Sequence, residues 1–91
     1  MNITDIRIQR IRNPKGKLLG FAEIILDGKL VIKDFQIFTS NRGLFVGMPS
    51  RKMPDGSWRE MVFSIDTELS ETLKNSILRA FEDEANRPEN L

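Results

Sequence analysis

Four side chains in one short stretch carry most of the chemistry this sequence offers: Arg51, Lys52, Trp58 and Arg59. The first two precede the turn signal Pro54-Asp55-Gly56 and the last two follow it. Guanidinium and ammonium groups neutralise a phosphate backbone irrespective of its sequence, so three cations at one loop suit a polyanion. An indole beside them can stack on an unpaired base, a contact worth about 1–3 kcal/mol. Each feature also has a plainer reading. Charges at a hairpin tip keep a protein soluble, and a lone tryptophan more often anchors packing, given the area its ring must hide. Arg42, at the other end of the strand that stops at Pro49, joins the candidate patch, and a dimer would duplicate it. Pro49 offers no amide hydrogen to a ladder, and Pro54 stiffens the loop further.

Catalytic and metal chemistry is poorly supplied. The chain has neither histidine nor cysteine. Ser-His-Asp and Cys-His arrangements are therefore excluded, as are zinc sites of the usual ligand sets. Acid–base work would fall to Asp and Glu, which are scattered and form no recognisable pair. Gly43, Gly47 and Gly56 match neither a P-loop nor a dinucleotide fingerprint. No enzyme activity, cofactor or metal site is expected.

Bulk properties set the frame. At 91 residues one domain is expected, near the lower limit for a self-sufficient core, and dimerisation is a common remedy at that size. The start, Met1-Asn2-Ile3-Thr4-Asp5-Ile6-Arg7, alternates and carries charge instead of forming an apolar run, so no signal peptide is expected. No segment approaches the roughly 20 apolar residues of a membrane span. A cytoplasmic protein without membrane contact is the expectation. The net charge of +1 conceals an asymmetry: residues 1–66 hold 11 Lys/Arg against 7 acids, and residues 67–91 hold 3 against 6. A basic body with an acidic tail points modestly toward nucleic acid.

The elements that must position these groups follow from periodicity and turn chemistry. Strands are expected over Ile3–Arg12, Leu18–Leu26, Lys29–Phe38, Leu44–Met48 and Trp58–Phe63. Ile3 and Ile11 break the alternation of the first strand and predict a bulge or twist near each end. Its basic run, Arg7, Arg10 and Arg12 with Lys15 and Lys17, reads as charge guarding an edge strand. Asp27-Gly28 is a two-residue hairpin signal that would place Leu26 opposite Lys29 and Ile24 opposite Val31. Mid-strand Gly47 suggests a bulge or a close approach. Phe45 and Phe63 are expected in the core. A helix starts near Thr67, which can cap it, and Leu69, Leu73, Ile77, Ala80 and Phe81 form its apolar stripe.

The result is an α+β domain over residues 1–86, about five antiparallel strands followed by one helix, with 87–91 as a short flexible tail. Strands two and three look apolar on both faces, but only one helix is available to cover them. A second copy is expected to cover much of the remaining face through Phe21, Ile25, Val31 and Phe35. Strong twist that leaves edge residues half exposed is the alternative.

With these residues in view, the chain resembles the SpoVG family (stage V sporulation protein G, or septation protein). The resemblance covers most of residues 1–82. It is most specific in Ile3-Thr4-Asp5-Ile6-Arg7 and in Gly43-Leu44-Phe45-Val46-Gly47-Met48-Pro49-Ser50-Arg51-Lys52 with Pro54-Asp55-Gly56. It implies a small bacterial cytoplasmic protein with an antiparallel sheet and a C-terminal helix, forming a homodimer. It also implies links to septation, sporulation-type development and control of gene expression through DNA or RNA binding. The family's basic loop falls on Arg51 and Lys52, with Arg59 after the turn. Gly47 stands where alanine is usual, and Glu60 and Ser64 where aspartate and proline are common. The helix start, with Glu68 and Glu71 around Lys74, is less basic than is usual in the family. A DNA- or RNA-binding regulator is the leading expectation; the alternative is a non-catalytic interaction module that binds a protein of the septation machinery.

Overall fold

The computed structural model describes residues 2–85. Four strands, β1 (Ile3–Arg10), β2 (Leu18–Leu26), β3 (Leu30–Ser40) and β4 (Gly43–Gly47), form an antiparallel sheet in the order β1-β2-β3-β4. Two short strands, β5 (Ser50–Lys52) and β6 (Trp58–Glu60), pair only with each other, and one helix, α1 (Thr67–Ala85), follows. The expected α+β class is observed. The fifth expected strand stops at Glu60, short of Phe63, and its partner is Ser50–Lys52, which reads as loop in the sequence. The tail expected at 87–91, with its boundary at 86, lies outside the described residues. No helix of the described residues is long and apolar enough to cross a membrane.

Two extra residues in β3 and its turn decide which side chains meet the helix. Asp27 and Gly28 both take positive φ, 52° and 63°, and the Lys29 amide donates to the Leu26 carbonyl at 2.9 Å. That is the expected two-residue turn. Lys29 is then left over, so Leu26 faces Leu30, Ile25 faces Val31 and Ile24 faces Ile32, one residue out of the expected register. A second irregularity follows at Asp34 (φ 73°), between the pairs Ile24–Ile32 and Ala22–Phe35. Aspartate tolerates the left-handed region better than most residues. Because side chains alternate with a period of two, one inserted residue switches the faces of everything beyond it. Ile32 and Phe35, three apart, therefore both turn to the helix side, and Phe35 joins Ile37 in the buried core.

The helix covers that side. Its N-cap is Asp66, not Thr67: the Asp66 carboxylate accepts the Leu69 amide at 3.0 Å and its carbonyl accepts the Ser70 amide at 3.0 Å. Aspartate at this position satisfies an orphan amide and favours the positive end of the helix dipole, so the helix starts at Thr67 as expected while the cap is the residue before it. Leu73, Ile77 and Phe81 are buried against Ala22, Ile24, Leu26, Phe35, Ile37, Val46 and Met48, with Leu69 packed at the margin. Burying each large apolar side chain contributes about 1.5–3 kcal/mol. β1 is an edge of the sheet, as its charges suggested. The register shift expected near its start is present between Ile3 and Asp5. One of its cations is a clamp: the Arg10 guanidinium carbon sits 4.0 Å over the Phe81 ring, and its Nη2 donates to the Phe81 carbonyl at 3.4 Å.

Gly20 sets how closely the sheet edge and the helix approach. A Cβ there would stand 2.8 Å from the Gln9 carbonyl oxygen and 3.5 Å from the Phe81 ring, whereas Gly16 has nothing within 4 Å. Backbone cannot swing aside as a flexible side chain can. Gly20→Ala should therefore lower the free energy of unfolding by about 1–3 kcal/mol, and Gly16→Ala should change it by less than about 0.5 kcal/mol. Urea denaturation of the two variants checks this; equal midpoints would remove Gly20 from its assigned role.

Candidate nucleic-acid interface

The β5–β6 hairpin begins where Pro49 ends the main sheet. Pro49 is buried, and its carbonyl accepts the Met61 amide at 2.7 Å and the Val62 amide at 3.4 Å, which closes the base of the hairpin. The tip is built by Met53-Pro54-Asp55-Gly56-Ser57. The Gly56 amide donates to the Met53 carbonyl at 2.9 Å, and the Met53 amide donates to the Ser57 carbonyl at 2.7 Å. Proline second in the turn and a left-handed glycine (φ 91°) fourth are what a type I turn with a following bulge requires. Asp55 locks it: its Oδ1 accepts the Ser57 hydroxyl at 2.6 Å and the Ser57 amide at 2.9 Å. Those two donors, the hydroxyl foremost, hold the Asp55 carboxyl below its ordinary 3.8.

Pairing across the hairpin sorts its side chains. Ser50 opposes Glu60, Arg51 opposes Arg59, and Lys52 opposes Trp58. Directly opposed residues share a face, so Arg51 and Arg59 project together on one side and Ser50, Lys52, Trp58 and Glu60 on the other. Like charges placed opposite one another destabilise a ladder. Arg51, Lys52 and Arg59 are exposed, and among the described residues no ion pair with an acid neutralises any of them. Trp58 is 62% exposed, contrary to the packing role that its area favours.

The other candidates are dispersed. Arg42 sits in the β3–β4 turn, where its amide donates to Ser40 Oγ at 3.2 Å. The five residues of β4 separate it from the hairpin base, about 17 Å at the usual rise per residue. Of the four residues expected to contact a second copy, Phe21 and Ile25 are half-buried and Val31 is exposed. Phe35 is fully buried beneath the helix and is unavailable to a partner, because the Asp34 irregularity turned it inward. Phe45 and Phe63, expected in the core, are 47% and 60% exposed. The Phe45 ring instead stacks on Phe38, with centroids 5.1 Å apart and planes at 19°.

Sequence reasoning missed a groove between the hairpin and the sheet face away from the helix. Gln36, Phe38, Gly47, Ser50, Trp58 and Glu60 line it, and its volume is about 430 Å³. Phe38 reaches it only because β3 switches faces at Asp34. The mid-strand glycine was the one sign, and the close approach it suggested is present: a Cβ at Gly47 would lie 3.2 Å from the Phe38 ring.

Comparison with known proteins adds a family to this geometry. The family model described as SpoVG matches residues 1–83. A Clostridium beijerinckii protein named "Putative septation protein SpoVG" is 39% identical over 82 residues, covering 90% of this chain and 89% of that one. A Clostridium perfringens protein of the same name is 37% identical over 82 residues, with 90% of both chains covered. One from Phytoplasma australiense is 35% identical over 88 residues, covering 97% of this chain and 91% of its own.

The Asp55 lock has a measurable signature. A carboxyl whose folded value is depressed stabilises its turn at all pH above the ordinary value and loses that contribution only as pH falls through the lowered one. The Ser57 amide resonance, followed by NMR during acid titration, should therefore move with a midpoint below 3.8. Asp55→Asn should abolish the transition. A midpoint at or above 3.8 would contradict the geometry.

Proposed function

The chain belongs to the SpoVG family, and on that premise we propose that it is a non-catalytic cytoplasmic regulator that binds DNA or RNA as a homodimer. Through that binding it influences septation, sporulation-type development and gene expression. One observation carries the reading: Arg51 stands directly opposite Arg59, with Lys52 alongside, and no acid among the described residues neutralises them. Such an arrangement weakens the hairpin in isolation, and a phosphate chain reverses the penalty by lying between the charges. The pairing holds the two guanidinium groups on one side of a turn stiffened by Pro54 and Asp55, so less side-chain freedom is lost on binding. The relatives' names supply the link to septation.

A homodimer is supported by apolar area left in water. Phe21, Ile25 and Val31 line the uncovered sheet face, while Met61, Phe63 and Ile65 are exposed beyond β6, Ile65 at 97%. A monomer of this size gains by hiding such a surface. The same exposed residues favour a second reading, an interaction module that docks on a protein of the septation machinery.

Fluorescence anisotropy with labelled single-stranded RNA and duplex DNA at two salt concentrations tests the first reading. Arg51→Ala/Arg59→Ala should weaken binding and make the slope of log K against log salt shallower by about 2 on duplex DNA for each hairpin engaged. An unchanged slope and affinity would defeat the site assignment, and no binding at low salt would favour the second reading. Light scattering at micromolar concentration should report a dimer.

A further inference from the structure

The groove below Trp58 has a composition that the phosphate reading does not use. We infer that it is a nucleobase subsite, selective for unpaired bases that carry an exocyclic amino group. The inference rests on the nucleic-acid reading and deepens it by assigning the two faces of the hairpin to two parts of a nucleotide. Arg51 and Arg59 project from one face and take phosphate; the other face presents Trp58 over a groove of about 430 Å³. That volume falls within the ~300–1,000 Å³ usual for small-molecule sites.

Flat aromatic surface bounds the groove. Trp58 is exposed on the hairpin side, and Phe38, stacked on Phe45 at 5.1 Å, lies on the sheet side. Gly47 has no side chain to intrude: a Cβ there would already stand 3.2 Å from the Phe38 ring. Bases stack on such surfaces whatever their identity.

The polar groups add discrimination. Ser50 donates its hydroxyl to the Met48 carbonyl at 2.8 Å, which leaves its oxygen as an acceptor toward the groove. No side-chain hydrogen bond or ion pair among the described residues engages Gln36 or Glu60. A carboxylate only accepts, and an amide does both. Glu60 therefore matches the amino group of cytosine, adenine or guanine, whereas uracil or thymine offers it N3–H alone and sets the O4 carbonyl against its second oxygen lone pair to lone pair. Lys52, beside Trp58 on this face, offsets the carboxylate charge toward an incoming polyanion. A duplex hides base faces in its stack, so the subsite takes single strands.

Trp58 is the sole tryptophan and the chain has no tyrosine, so intrinsic fluorescence reports on the groove without a label. Oligo-dC and oligo-dU of equal length, at neutral pH and low salt, are titrated into the intact protein. Oligo-dC should quench Trp58 and bind about fivefold or more tightly than oligo-dU. Glu60→Gln should narrow that gap, since an amide can donate to O4. Trp58→Ala should weaken single-strand binding about tenfold with duplex affinity retained, and Trp58→Phe should restore most of it. Three results would overturn the inference. One is a silent Trp58 with equal affinities while Arg51→Ala/Arg59→Ala still weakens binding, which leaves the phosphate reading intact. Another is Trp58 emission that depends on protein concentration alone, which assigns the groove to a second copy. The last is no binding of any oligonucleotide, which removes both proposals.

Discussion

One helical stripe pressed on one face of a four-stranded sheet holds this protein together, and the rest of the molecule is arranged around the fact that the described residues supply a single helix. Leu73, Ile77 and Phe81 meet Ile24, Phe35 and Ile37 on that face. The contact works because β3 changes sides at Asp34, which delivers Ile32 and Phe35 together to the helix. Without that irregularity, strict alternation would send Ile32 outward while Phe35 stayed in, and the helix would lose part of its floor. Arg10 above Phe81 and the bare backbone of Gly20 fix the other end of the same contact.

The opposite face is left mixed. Phe21, Ile25, Val31 and Phe38 lie there among Arg7, Glu23, Lys33 and Gln36, so it is neither a dry interface nor a wholly wet surface. The hairpin that departs at Pro49 overhangs one corner of this face and brings its own aromatic ring. The groove lined by Trp58 and Phe38 is thus produced at the junction of two small sheets.

Most of the fold was legible because it is written in local signals. Asp27-Gly28, Pro54-Asp55-Gly56 and the Leu73/Ile77/Phe81 spacing each have a single strong reading, and β2 was bounded to the residue. The cationic hairpin was legible for the same reason, since turn chemistry placed Arg51, Lys52 and Arg59 together. The departures in face share a cause. Register and face depend on single inserted residues, Lys29 and Asp34, that carry no compositional mark. Simple alternation consequently puts Phe35 on the wrong face and hides the groove at Phe38. Hydrophobicity alone puts Phe45 and Phe63 inside, although a chain this small cannot enclose all its rings. Asp66 and Thr67 are both good caps, and only geometry chooses between adjacent candidates.

Among the described residues none of the buried core side chains belongs to the hairpin, whose two strands pair only with each other. Its opening is therefore a local event, with a free energy set by a few ladder bonds and not by the melting of the domain. The arm can therefore lose its pairing and regain it while the helix stays seated on the sheet, so amide exchange along Ser50–Glu60 should run ahead of exchange in the core strands.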